Sequence, residues 1–84
     1  MSGKNVIWRD RAKAQLRAID QQTALRILHA LAHFLATSEG DVKRLQGIDP
    51  PELRLRVGDY RLFFQDAEDR IEVIAVKHRR EAYR

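Results

Sequence analysis

Apolar and polar positions alternate in three different rhythms along this chain. Asn5-Val6-Ile7-Trp8 is a short apolar run suited to a first strand, and Asp10 just after it is a helix N-cap candidate. Ala12, Leu16 and Ile19 then recur at helical spacing, with Arg11, Lys13 and Arg17 between them. Asp20 restarts the pattern as a second N-cap. Ala24, Ile27, Leu28, Leu31, Phe34 and Leu35 follow as one wide apolar stripe, and Gly40 suits the stop. These are two helices of an α-hairpin. The stretch from Asp41 to Pro51, with Gly47 and the Pro50-Pro51 pair, reads as largely loop.

From Glu52 the period becomes two. Leu53, Leu55 and Val57 fall on one face of a strand, and Glu52, Arg54 and Arg56 on the other. Gly58-Asp59 is a two-residue turn signal, and Tyr60 to Gln65 returns with Tyr60, Leu62 and Phe64 on one side and Arg61, Phe63 and Gln65 on the other. Asp66 to Asp69 makes a polar turn, Arg70 to Val76 is a third strand of the meander, and the stretch from Lys77 to Arg84 closes the chain. The order β-α-α-β-β-β predicts an α+β fold in which a two-helix hairpin packs on one face of a mainly antiparallel four-stranded sheet. With 84 residues and no repeat, linker or low-complexity segment, residues 1–84 form one domain.

Composition narrows the function classes. Hydrophobic residues at 44% and charged residues at 33% describe a globular chain. With no cysteine, neither disulfides nor thiolate metal sites arise. The few apolar residues between Lys4 and Arg9 are too short for a signal-peptide core, and no stretch is long enough to span a bilayer, so a soluble cytoplasmic protein with no membrane partner is expected. The formal charge of +4 favours a polyanionic partner, and its placement matters more than its size.

A two-residue Gly58-Asp59 loop fixes the hairpin register. Val57 then opposes Tyr60, Arg56 opposes Arg61, Leu55 opposes Leu62 and Arg54 opposes Phe63. All the apolar residues but Phe63 share a face, and two arginines stand directly across from each other. Like charges in that position destabilise a sheet unless an anion lies between them, and the planar guanidinium fork matches phosphate oxygens. Phe63 beside them offers a stacking surface for an unpaired base. The plainer reading is a solvated face whose arginines pair with Glu52 and Glu72.

Three segments carry a family resemblance: Val42-Lys43-Arg44-Leu45-Gln46-Gly47, Leu53 through Arg61, and Val76-Lys77-His78-Arg79-Arg80-Glu81-Ala82-Tyr83-Arg84. Together they resemble the RelE branch of the RelE/ParE toxin superfamily of type II toxin–antitoxin systems, over nearly the whole chain. The resemblance implies a microbial RNase-like (RelE-like) fold. It also implies a metal-independent endoribonuclease, without cofactor, that enters the ribosomal A site and cuts mRNA there. Such a toxin is held inactive by a cognate RelB-like antitoxin, through which the complex also meets operator DNA. In that chemistry the ribose 2′-hydroxyl attacks the adjacent phosphate, so the site needs a base, an acid and positive charge on the phosphate.

Carried onto this sequence, the resemblance assigns Arg56 and Arg61 to the phosphate. Arg79 supplies further charge, and Tyr83 serves positioning, stacking or a proton contact. Arg54, Phe63, Lys43, Arg44 and Arg80 would bind the RNA around them. Family members often carry lysines on the first hairpin strand where this chain has Glu52 and Arg54, and arginine is a poor general base. Glu52 and His78 are the alternatives for the base, each with a plainer role as an ion-pair partner or a positioning residue. The rival reading within the superfamily is a ParE-like inhibitor of DNA gyrase without enzymatic activity; a third is a degenerate homologue that only binds RNA or its antitoxin. His29 and His33 lie four apart on the second helix but have no third ligand near in sequence, and read as surface residues.

Overall fold

The computed structural model describes residues 5–45, 47 and 51–82. The chain runs β1 (Asn5–Trp8), α1 (Asp10–Arg17), α2 (Gln21–Thr37), β2 (Val42–Leu45), β3 (Glu52–Val57), β4 (Tyr60–Asp66), β5 (Arg70–His78) and α3 (Arg79–Ala82). The strands form one sheet in the order β1-β5-β4-β3-β2. β1 lies parallel to β5 and every other pairing is antiparallel.

The α+β class and the helical hairpin stand as expected, but the sheet has five strands instead of four. The extra one is β2, inside the stretch expected to be loop. Its four residues put Val42 opposite Leu55 and Lys43 opposite Arg54. With two adjacent charges in so short a run, the alternation that marks a strand is hidden, and the pairing partner decides. Pro50, in the same stretch, lies outside the described residues.

Three element boundaries also differ. α1 is capped by Arg9, with Asp10 in the first turn and no side-chain cap hydrogen bond; there its carboxylate still favours the positive helix end. α2 stops at Ser38 and not at Gly40: Ser38 adopts the left-handed conformation (φ 64°) and donates its N–H to the Phe34 carbonyl at 2.7 Å. β5 continues two residues beyond Val76, and the closing segment turns into the short helix α3.

At the start of α2 the expectation holds, since the Asp20 carboxylate accepts the Thr23 N–H at 3.0 Å. That hydrogen bond holds its pKa below the ordinary carboxylate value. The apolar stripe of α2 buries Ile27 and Leu31 against Leu55, Val57, Leu62, Phe64, Val73 and Val76 of the sheet, with Ala12 of α1 in the same core. Phe34 meets Phe64 with ring centroids 5.8 Å apart. Both long helices therefore cover one face.

β5 carries one extra residue. Phe63 pairs with Ala75 and Phe64 with Val73, so Ile74 makes a bulge. Just beyond it the Val76 N–H donates to the Gln15 side-chain oxygen at 2.7 Å, a contact that ties α1 to the irregular part of the strand.

The Gly58-Asp59 turn joins β3 and β4 in the expected register. Gly58 has φ +57° while Asp59 stays in negative φ, the arrangement of a II′ hairpin turn. A Cβ at Gly58 would meet no neighbouring atom within 4 Å, so a substitution there is limited by backbone strain alone. Gly58→Ala is expected to cost about 1–2 kcal/mol, read as a lower urea midpoint with an unchanged slope.

Candidate nucleic-acid interface

Side chains on paired positions share a face, so the registers specify what lies on the side of the sheet away from α1 and α2. One row crosses three strands as Arg56, Arg61 and Lys77. The next row is Lys43, Arg54, Phe63 and Ala75, and the one after it Leu45, Glu52, Gln65 and Glu72. With adjoining strands ~4.8 Å apart, the first row spans roughly 10 Å. Five cations thus occupy two neighbouring rows around one aromatic ring.

The three cations of the first row are held differently. Arg56 is exposed, with 58% of its side chain accessible, and its Nε lies a loose 3.9 Å from the Asp41 carboxylate. Arg61 is only 4% exposed. Its guanidinium donates to the carbonyls of Gly58 and Tyr60, both at 3.0 Å. The two opposed arginines were expected to need an external anion; instead, turn carbonyls take up part of the Arg61 charge. Lys77 is half-buried, with its ammonium 5.8 Å from the centroid of the Phe63 ring. By sequence Lys77 belongs to the closing segment, which can bring further positive charge to the same edge; the structure places it in the row itself. The signal for it is the alternation of β5, which places Lys77 across from Arg61 once the strand is carried past Val76.

The C-terminal residues come together at the hairpin turn. The Arg79 N–H donates to the Asp59 carbonyl at 2.7 Å, and its Nε lies 3.7 Å from the Asp59 carboxylate. Asp59, His78, Arg79, Arg80 and Glu81 line a cleft of about 550 Å³. His78 pairs with Tyr60, whose ring packs on the core side, and the two rings meet edge-on with centroids 5.4 Å apart. His78 therefore lies across the sheet from the Arg56, Arg61, Lys77 row. Its Nδ1 accepts the Arg80 N–H at 3.2 Å, which places the proton of the neutral ring on Nε2. Tyr83 lies outside the described residues.

Glu52 is not brought to the phosphate candidates. It stands beside Leu45 and Gln65, four residues from Arg56 along β3, a separation of ~13 Å at strand rise. Lys43 and Arg44 sit on the exposed edge strand, but only Lys43 shares the cationic face, because Arg44 opposes the core-side Leu53. His29 and His33 are exposed on α2, where His33 Nε2 lies 3.4 Å from Glu39.

Glu72 does not pair with the hairpin arginines. Its carboxylate accepts from Arg9 Nε at 2.6 Å and lies 3.6 Å from Arg70. The Arg9 hydrogen bond, more than any other influence, holds the Glu72 pKa below its ordinary value. A carboxylate depressed in the folded state contributes stability above its unfolded pKa of about 4.3, and loses it as pH falls through the lower folded value. Between neutral pH and pH ~3 the melting temperature is therefore expected to fall further for the wild type than for Glu72→Gln, as thermal melts across that range would show.

Two helices on one side of a five-stranded sheet, with a cationic face on the other, define the class: a small α+β domain built to present charge on an uncovered sheet. Residues 6–83 match the family model described as the ParE toxin of type II toxin–antitoxin systems, parDE, and the chain belongs to that family. A chain of the archaeal RelE–RelB complex from Pyrococcus horikoshii OT3 has the same fold, with a TM-score of 0.78 at 20% identity over 94% of this chain and 98% of that one. A mutant of the E. coli toxin RelE in the free state matches with a TM-score of 0.74 at 21% identity, over 96% and 87%. The chromosomal ParDE system from P. aeruginosa matches with a TM-score of 0.59 at 13% identity, over 93% and 98%. No curated protein matches in sequence. At these identities the structural likenesses establish the fold, and the domain is a RelE/ParE superfamily toxin.

Proposed function

We propose that this toxin is a ribosome-dependent mRNA endoribonuclease that acts in the cytoplasm, cutting mRNA in the A site, and that a RelB-like antitoxin restrains it. The observation that carries the reading is the Arg56, Arg61, Lys77 row beside Arg54 and Phe63 on the sheet face that α1 and α2 leave uncovered. Positive charge fixed along one line in a partly desolvated surface suits a phosphate that gains negative charge as the 2′-hydroxyl attacks. Phe63 offers a ring to a neighbouring base. Arg79, Arg80 and Tyr83 extend the contact along the RNA. His78 lies across the sheet from the Arg56, Arg61, Lys77 row and holds the start of α3 through its Nδ1, which suits a positioning role better than proton transfer at the phosphate. The charge on the phosphate comes from side chains, so the reaction takes no metal. The complex meets operator DNA through the antitoxin.

Induction in cells followed by mapping of mRNA 5′ ends tests the reading. New ends inside translated codons are expected, and they are expected to disappear with Arg56→Ala.

A second reading, favoured by the ParE description of the family model over residues 6–83, is a gyrase inhibitor without enzymatic activity. Growth arrest with intact mRNA and accumulated gyrase–DNA breaks would establish it and overturn the first.

A further inference from the structure

We infer that Lys77, and not Arg61, makes the direct side-chain contact with the RNA phosphate beside Arg56, an assignment that rests on the endoribonuclease reading. Arg61 is committed elsewhere. It is 4% exposed, and its Nη1 already donates to the carbonyls of Gly58 and Tyr60 at the β3–β4 turn. To reach an external anion it would have to give up both hydrogen bonds and leave two carbonyl oxygens without that donor. Its charge adds to the local potential while its guanidinium braces the turn.

Lys77 occupies the other end of the same row, directly across β4 from Arg56. Among the described residues no carboxylate pairs with it, and the Phe63 ring is the group its ammonium rests over. A half-buried ammonium flanked by an arginine and lacking an acidic partner is in unfavourable company until an anion arrives. The four-carbon stem lets Nζ swing from the ring to a phosphate oxygen at little cost, which the rigid and anchored Arg61 fork cannot do. When it swings, the face of Phe63 that it covered becomes available to a base. Phosphate capture and base stacking are then one movement. Ala75, beside Phe63 in the next row, adds only a methyl group to the floor of this subsite.

Single-turnover cleavage of mRNA on programmed ribosomes tests the assignment with the full-length toxin and its Lys77→Gln and Lys77→Arg variants. Loss of one charge-assisted phosphate contact is expected to slow Lys77→Gln by about 10- to 100-fold, with Lys77→Arg recovering most of the rate. Lysine acetylation of the wild-type toxin, mapped by mass spectrometry, gives a readout independent of how any variant folds: Lys77 should be protected on programmed ribosomes and reactive in free toxin. A wild-type toxin that cleaves while Lys77→Gln cleaves equally fast, or while Lys77 stays reactive on the ribosome, overturns the assignment and leaves the endoribonuclease reading intact. A wild-type toxin that does not cleave overturns that reading, and the assignment with it.

Discussion

Phe64→Ala is expected to remove most of the stability of this domain, whereas Phe63→Ala, one residue away, should leave the fold intact. Phe64 is fully buried between the sheet and Phe34 of α2, and deleting a phenyl ring from such a site costs about 3–5 kcal/mol. Domains have only about 5–15 kcal/mol in total, and one this small belongs near the bottom of that range. With a urea slope of about 1 kcal/mol/M, the midpoint should fall by roughly 3 M, to the point where the variant is largely unfolded in buffer. Phe63 faces the other way and is half-buried beside Lys77, so its loss should be read in RNA contact and not in the melt. A Phe63→Ala midpoint as low as that of Phe64→Ala would show that the two faces are not separated as described.

The second large effect concerns activity. On the proposed endoribonuclease reading, Arg56→Ala should lower the rate of mRNA cleavage by about 10²–10³-fold, the usual result of removing one donor to developing charge. Stability should move the opposite way. Arg56 is exposed, held only by the loose Asp41 contact, and stands against Arg61, so its removal relieves a like-charge pair worth about 0.2–1 kcal/mol. A melting temperature unchanged or a few degrees higher, with cleavage lost, separates Arg56 from Arg61. Arg61→Ala should lose both, because the turn carbonyls lose their donor. Arg56→Ala with undiminished cleavage would remove Arg56 from the chemistry.

Much of this was legible in the sequence because the hairpin is a local problem. The Gly58-Asp59 turn and strict alternation fix the β3–β4 register, and the pairing of Arg56 with Arg61 follows without any distant contact. The α2 stripe is legible for the same reason, being an unbroken helical period behind an Asp20 cap. What escaped depended on partners far along the chain. β2 is a strand because β3 is beside it, and its Lys43-Arg44 pair gives no alternation to read. β5 reaches His78 because Tyr60 and Arg61 pair with its last two residues, which is also why Lys77 reads from sequence as part of the closing segment and not of the strand. That Arg61 turns back to its own hairpin carbonyls, and that Glu72 turns to Arg9 across 63 residues, are matters of side-chain geometry that no spacing reports.

The parallel seam between β1 and β5 also has a consequence for how the molecule comes into being. Among the described residues β1 has no sheet partner until β5 has been made, since Asn5 through Trp8 pair with Arg70 through Val73. Contacts that close so long a loop form late and slowly. The strand that completes this seam is the same one that delivers Lys77 to the cationic row. The cationic row is therefore incomplete until β5 has been made and has paired with β4.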